Sequence, residues 1–169
     1  MGKSNTGRES LIPIVRDVIE HARAGTIKQA KDVMRLPATH YTDSKRFELE
    51  VEKVIKRVPI ILGPSCEIPK PGDFKTLSVA GMSLIISRTE DGTAHAMVNA
   101  CSHRGACLVK EENGNRRRFT CPYHGWSFSN TGDLMAISAE KDFGTISKDD
   151  YGLISLPVYE SAGLIWAIL

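Results

Sequence analysis

The sequence has no apolar run long enough for a membrane helix or a signal peptide. The N-terminal stretch MGKSNTGRESLIPIVRDV offers only Leu11 to Val15 before Arg16 and Asp17 interrupt it, whereas a membrane helix needs about 20 apolar residues. No membrane attachment is expected on that ground. Gly2 begins a loose match to a myristoylation signal, with Thr6 at the hydroxyl position, but so short a pattern matches often by chance. Neither sign of charge dominates. A net charge of +2 is too small to argue for a nucleic-acid partner. Cysteine is sparse as well: four residues cannot make a disulfide scaffold, and a cytosolic Cys/His cluster more often binds metal. Internal repeats and low-complexity tracts are missing. What remains is the composition of an ordinary soluble protein, 41% apolar and 25% charged over 169 residues, enough for one domain with its own core. The default compartment is the cytoplasm.

Residues 1–57 read as a helical N-terminal segment. Leu11, Ile14, Val15, Val18, Ile19 and Ala22 fall at helical spacing and form one apolar stripe. Ser10 suits an N-cap, Pro13 the first turn, and Gly25 the end of the stripe. Thr26 is placed to cap a short second helix running to about Met34, with Pro37 marking the break. A further helix is expected after Thr42 or Asp43, with Phe47, Val51, Val54, Ile55 and Val58 on its buried face. Glu52 and Lys56 make a favourable pair on its outer side.

From residue 58 the character changes. Pro59, Gly63, Pro64, Pro69, Pro71 and Gly72 come close together, and short β-prone runs follow: TLSVAG, MSLIISR, HAMVN, RRFTC, GLISLPVY and GLIWAIL. Asp91-Gly92 is a strong hairpin signal and Asn113-Gly114 a second. Many short strands with regular turns predict a small, mainly antiparallel β-domain over residues 58–169. The fold class is therefore α+β: a helical lead-in, then a β-domain.

The chemistry is concentrated in NACSHRGACLVKEENGNRRRFTCPYHGWSF, residues 99–128. Cys101 and His103 form a C-x-H motif, and Cys121 and His124 a C-x-x-H motif. A glycine stands beside each, Gly105 and Gly125, where a backbone can turn tightly and approach a metal centre. Each motif is fed by a β-prone run. The pattern describes two loops at one end of a sheet, each offering one thiolate and one imidazole. Three readings are open. A structural zinc site would accept these donors, although zinc pairings usually put like ligands together and C-x-H makes an awkward knuckle. Coincidence would require packed cysteines and satisfied histidines in two mirrored pairs. A Rieske two-iron two-sulfur centre takes two cysteines on one iron and two histidines on the other, with one of each from each loop, which is the mixed pairing seen here.

CSHRGA and CPYHGW resemble the Rieske motifs of aromatic-ring-hydroxylating oxygenases, in the large (alpha) subunit. LPATHYTDSKRFELEVEKV resembles the helical lead-in of those subunits, EIPKPGDF the loop into their Rieske domain and GLIW its closing strand. The resemblance covers about residues 36–169. Rieske proteins of cytochrome complexes carry an extra cysteine in each loop. Here Tyr123 stands at that place in the second loop, and Trp126 replaces a serine, so Cys107 has no partner there. The resemblance implies a 2Fe-2S cluster held by Cys101, His103, Cys121 and His124, on a cluster-binding subdomain of about 99–130. It also implies an electron-relay role between a ferredoxin or flavin reductase and the catalytic domain of an oxygenase, commonly a homotrimer. A stand-alone Rieske ferredoxin is the alternative reading.

In that family a larger domain with a mononuclear iron, held by two histidines and a carboxylate, follows the Rieske domain. This chain stops at Leu169, so the catalytic domain is expected to be absent. The chain would then be part of an oxidoreductase that does not itself oxygenate a substrate. His21, His40 and His95 read as surface or satisfied histidines. Tyr123 and Trp126 are expected to cover the cluster and limit solvent access. Arg104 is a candidate for contact with a neighbouring domain. Cys107 is expected to be small and buried, and Cys66 to be unimportant. Arg116, Arg117 and Arg118 read as a solvated turn, or as a docking site for an acidic redox partner.

Overall fold

The computed structural model describes residues 6–169; Gly2 and the rest of residues 1–5 lie outside it. The described chain forms two compact units that divide between His40 and Tyr41.

In the first unit a single helix, α1 (Thr6–Ala24), carries the predicted stripe. It starts earlier than expected. The Ser10 hydroxyl donates to the Gly7 carbonyl (3.0 Å) from within the helix instead of capping it. Gly25 ends the helix at φ +64°. The short helix expected over 26–34 does not form. Thr26 is occupied backwards: its N–H donates to the His21 carbonyl at 3.0 Å, and its hydroxyl lies 2.9 Å from His21 Nδ1. It closes the helix behind it and caps nothing ahead. Leu11, Ile14 and Val18 stay exposed.

A one-turn helix, α2 (Thr39–Thr42), leads to α3 (Ser44–Lys53). Asp43 caps α3 as expected, its carboxylate accepting from the Arg46 N–H at 3.0 Å. Arg46 and Glu50 pair on its surface at 2.9 Å, and so do Glu52 and Lys56. The expected buried face is not buried: Phe47 is 61% exposed and Val54 51%. Helical periodicity fixes a stripe but does not supply a partner for it.

Eleven strands follow in three sheets. The central layer is five-stranded, in the order β5 (Asn113–Asn115), β2 (Asp73–Val79), β3 (Met82–Arg88), β4 (Ala94–Val98), β9 (Ser155–Leu156). A second sheet joins β1 (Ile60–Pro64), β11 (Leu164–Ala167) and β10 (Val158–Ser161). The third joins β6 (Arg118–Thr120), β7 (Ser127–Ser129) and β8 (Leu134–Ala136). Every pairing is antiparallel, so the α+β, mainly antiparallel expectation holds.

The run Leu84-Ile85-Ile86 explains the layering. All three are fully buried, yet successive strand residues face opposite sides. Leu84 and Ile86 pack with Leu62, Ile68 and Ile165 in one core. Ile85 packs with Phe74, Phe119, Trp126 and Phe128 in the other. The central sheet is thus covered on both faces, and burying each large side chain contributes about 1.5–3 kcal/mol.

Asp91-Gly92 makes the predicted hairpin between β3 and β4, with Gly92 at φ +82°. The Asp91 carboxylate accepts from the Thr89 hydroxyl and from the N–H and hydroxyl of Thr93. These bonds lower its pKa to about 2. Asn113-Gly114 is not a turn: it is strand β5, with Gly114 opposite Phe74 of β2. A Cβ at Gly114 would lie 2.8 Å from the Phe74 ring, so the glycine serves a close aromatic approach.

Candidate metal centre

The two Cys/His loops leave the ends of β4 and β6 and share one internal hydrogen-bond frame. In the first, Gly105 N–H donates to the Cys101 carbonyl (2.7 Å) and Cys101 N–H to the Ala106 carbonyl (2.8 Å). In the second, Gly125 N–H donates to the Cys121 carbonyl (3.1 Å) and Cys121 N–H to the Trp126 carbonyl (2.8 Å). Each frame needs a left-handed residue at the same place, and Gly105 (φ +71°) and Gly125 (φ +67°) supply it. At Gly125 there is a second constraint, because a Cβ would lie 2.7 Å from Ser138 Cβ.

The frames bring the donors together. One cavity of about 370 Å³ is lined by Cys101, His103, Arg104, Ala106, Cys121, Tyr123 and His124. The His103 and His124 rings meet edge to face with centroids 4.7 Å apart. Both cysteines are buried and line the same cavity. Burial pushes the Cys101 thiol up, while the backbone N–H groups of His103 and Arg104 bond to its sulfur and oppose that shift. Burial, with Arg104 and His124 nearby, lowers the pKa of His103 and favours its neutral ring, the form that binds metal. Among the described residues no three His, Cys, Asp or Glu side chains converge as a single ion would require.

The other residues singled out in the sequence are placed as follows. Trp126 is 1% exposed and stacks on His103, with centroids 4.9 Å apart and planes 10° apart. Tyr123 is 77% exposed with its ring 5.0 Å from that of His124; it stands on the rim, where a cover was expected. Arg104 is exposed at the cavity mouth. Cys107 is exposed, contrary to expectation. Its sulfur lies 3.4 Å from the Asn99 amide and 3.3 Å from the Val109 carbonyl, and the residue belongs to neither apolar core. Arg116 bonds to Glu111 (2.8 Å) and lies 4.9 Å over the Phe74 ring, and Arg117 pairs with Glu90 (3.0 Å). His21 and His40 lie in helices and His95 in β4.

Three contributors were not read from the sequence. Phe143 meets His103 edge-on at 5.3 Å. Tyr151 meets Trp126 edge-on at 5.6 Å, and its carbonyl accepts from the Ser102 hydroxyl at 2.7 Å. Asn99, 3% exposed, ties the two limbs of the first loop. None stands at a spacing that marks it; only the fold brings Phe143 and Tyr151 to the site.

Residues 58–159 match the Rieske [2Fe-2S] domain family, and the chain belongs to it. The prosthetic group of such a domain is a two-iron two-sulfur cluster, and a donor set of two thiols and two imidazoles around one cavity fits it. The chain is 34% identical over 134 residues to the alpha subunit of biphenyl 2,3-dioxygenase from Rhodococcus jostii, covering 79% of this chain and 29% of that protein. It is 31% identical over 156 residues to the oxygenase subunit of glycine betaine monooxygenase from Pseudomonas aeruginosa, covering 90% and 36%. Among solved structures, naphthalene 1,2-dioxygenase from Rhodococcus sp. bound to indole superimposes with a TM-score of 0.74 at 34% identity, covering 78% of this chain and 31% of that one. The chain is similar to the Rieske portion of ring-hydroxylating oxygenase alpha subunits. It spans about a third of the length of these relatives.

Proposed function

We propose that this chain is an electron relay, carrying single electrons from a ferredoxin or flavin reductase towards the mononuclear iron of an oxygenase catalytic domain. In this reading Cys101 and Cys121 hold one iron and His103 and His124 the other. The observation that carries it is the pair of matching loop frames delivering one sulfur and one imidazole each to a single cavity. The mixed pairing, one thiol and one imidazole from each loop, favours two irons over one zinc. A tetrahedral ion asks four donors to meet at a point, whereas each iron of a Rieske cluster asks only two of the protein.

When bound, the cluster supplies a one-electron couple. The chain's own residues set its surroundings. The two N–H groups aimed at the Cys101 sulfur stabilise negative charge there. Trp126 and Phe143 close the inner side of His103 to water, while His124 faces the rim beside the exposed Tyr123. Electrons enter and leave from that open side. The likeness to oxygenase alpha subunits over most of the chain favours this role over a stand-alone ferredoxin. The acceptor is the catalytic domain of a neighbouring subunit in a homotrimer, in the cytoplasm. By name, these relatives act on biphenyl and on glycine betaine.

Metal analysis tests the reading. Two irons and two acid-labile sulfides per chain are expected, with the electron paramagnetic resonance signal of a reduced Rieske centre. One zinc and no iron would end it.

A further inference from the structure

The two loops share an internal frame but are closed differently. The second runs between paired strands: Thr120 of β6 is opposite Ser127 of β7, and their hydroxyls lie 2.8 Å apart. The backbone ladder therefore fixes both limbs of the loop that carries Cys121 and His124. The first loop leaves β4 after Val98, and its returning limb, residues 106–112, belongs to no strand. Buried backbone groups on such a limb still need partners.

Asn99 supplies them. Its Oδ1 accepts from the N–H groups of Leu108 (3.1 Å) and Val109 (3.0 Å). Its Nδ2 donates to the Val109 carbonyl at 2.7 Å, and faces Ser83 Oγ at 3.2 Å and Cys107 Sγ at 3.4 Å. Its own N–H donates to the Ser83 carbonyl of β3 at 2.8 Å. One buried amide thus uses its acceptor and its donors in place of the missing ladder.

We infer that Asn99 is a positioning residue for the metal centre: its side chain staples the loop 99–109, and so fixes Cys101 and His103 against Cys121 and His124. The second pair needs no such staple. This rests on the proposed relay function, since it assigns both pairs to one cluster. Side chains that orient metal-binding groups without touching the metal typically change affinity 10–100-fold when removed.

The test compares Asn99→Ala, Asn99→Asp and Ile165→Ala. Ile165 is fully buried in the core on the other face of the central sheet, so its variant controls for plain loss of stability. In Asn99→Ala, amide exchange at Leu108 and Val109 should speed up at least tenfold while that of residues 121–126 stays at the wild-type rate. The loaded protein should release iron to a chelator at least tenfold faster, and the g-values of its reduced centre should shift. Asn99→Asp keeps the acceptor oxygen but sets a second oxygen against the Val109 carbonyl. It should fall between wild type and alanine, and it carries the test if the alanine variant does not fold. Ile165→Ala should keep wild-type exchange at Leu108 and Val109 and a wild-type spectrum. Wild-type iron release and spectrum in Asn99→Asp, or the same changes in Ile165→Ala, would overturn the inference. A wild-type chain that binds no iron, yet loses protection at Leu108 and Val109 on Asn99→Ala, would refute the relay function and leave the staple standing.

Discussion

Trp126 and His103 lie face to face, with ring centroids 4.9 Å apart and planes only 10° from parallel. The two residues come from different loops, so the stack ties the C-x-H loop to the C-x-x-H loop. Phe143 closes the edge of the same pair, at 5.3 Å from His103 and 5.6 Å from Trp126. The indole ring is therefore both core and shield. Its Nε1–H is buried with no partner among the described residues, so the ring is held by its faces and not by a hydrogen bond.

That distinction gives a pair of variants. Trp126→Phe keeps an aromatic face and removes an unpartnered donor, so its cost should be small. Trp126→Leu removes the stack and opens a cavity, and should cost about 2–3 kcal/mol in denaturant unfolding. The wild-type midpoint should lie near the bottom of the Rieske range, on the order of −150 mV, because no disulfide joins the cluster loops and Trp126, not a serine, follows the second His-Gly. Water admitted in Trp126→Leu favours the more negative reduced state and should raise the midpoint by tens of millivolts, roughly the effect of small polarity changes near such centres. Redox titration of both variants checks the order.

The two loop glycines look alike in the sequence and differ in the fold. Gly105 and Gly125 both need a left-handed backbone, which costs about 1–2 kcal/mol for alanine. A Cβ at Gly105 meets nothing within 4 Å, whereas one at Gly125 lies 2.7 Å from Ser138 Cβ. Gly105→Ala should lose about 1 kcal/mol and still load iron. Gly125→Ala should lose clearly more and load poorly. Thermal unfolding and iron content measured side by side would show the asymmetry; equal losses would contradict it.

Cys101, His103, Cys121 and His124 stood out because donor type and spacing are local properties of the chain, and the fold brings all four to one cavity. So were the strands: MSLIISR is β3 residue for residue. What failed depended on partners remote in sequence. The stripe Phe47, Val51 and Val54 is periodic as expected, yet Phe47 and Val54 stay exposed and none of the three is buried. Asn113-Gly114 carried a turn signal, yet Gly114 is there because the Phe74 ring fills the space of its missing side chain. Cys107 was expected inside because free cysteines usually are, and it lies outside because its limb of the loop sets it against polar groups and in neither apolar core. Asn99 gave no signal, since an asparagine at a strand end is most often a turn residue.

Arg88 and Glu160 should dominate the response to acid. Arg88 is buried, donates from Nη1 (2.6 Å) and Nη2 (3.0 Å) to the two oxygens of Glu160, and also bonds the carbonyls of Ile68 and Gly92. The guanidinium holds the Glu160 carboxyl below its usual range. A depressed folded-state pKa stabilises the protein above the unfolded-state value, about 4.3 for glutamate, and that stabilisation is lost as pH falls through the folded value. Glu160→Gln should cost about 2–3 kcal/mol at pH 7, less than a fully buried pair because Glu160 keeps contact with water. The gap between variant and wild type should narrow below about pH 4. Asp91, with its pKa near 2, should keep its contribution to still lower pH. Unfolding measured from pH 3 to 7 tests both.

Arg104 differs from Arg116 and Arg117 in how its charge is balanced. Arg116 is committed to Glu111 and to the face of Phe74, and Arg117 to Glu90. Their charges are already balanced locally, which limits what they add to long-range steering. Arg104 sits at the mouth of the metal cavity and makes no ion pair among the described residues. An acidic redox protein approaching the open side of His124 would meet that charge first. Arg117→Gln should therefore change the rate of reduction by less than about twofold at any salt concentration, whereas Arg104→Gln should slow it several-fold at low ionic strength and little at about 0.5 M salt. Stopped-flow reduction by an acidic ferredoxin across a salt series measures this. A salt-dependent defect in Arg117→Gln but none in Arg104→Gln would move the docking surface from the cavity rim to the turn at residues 116–118.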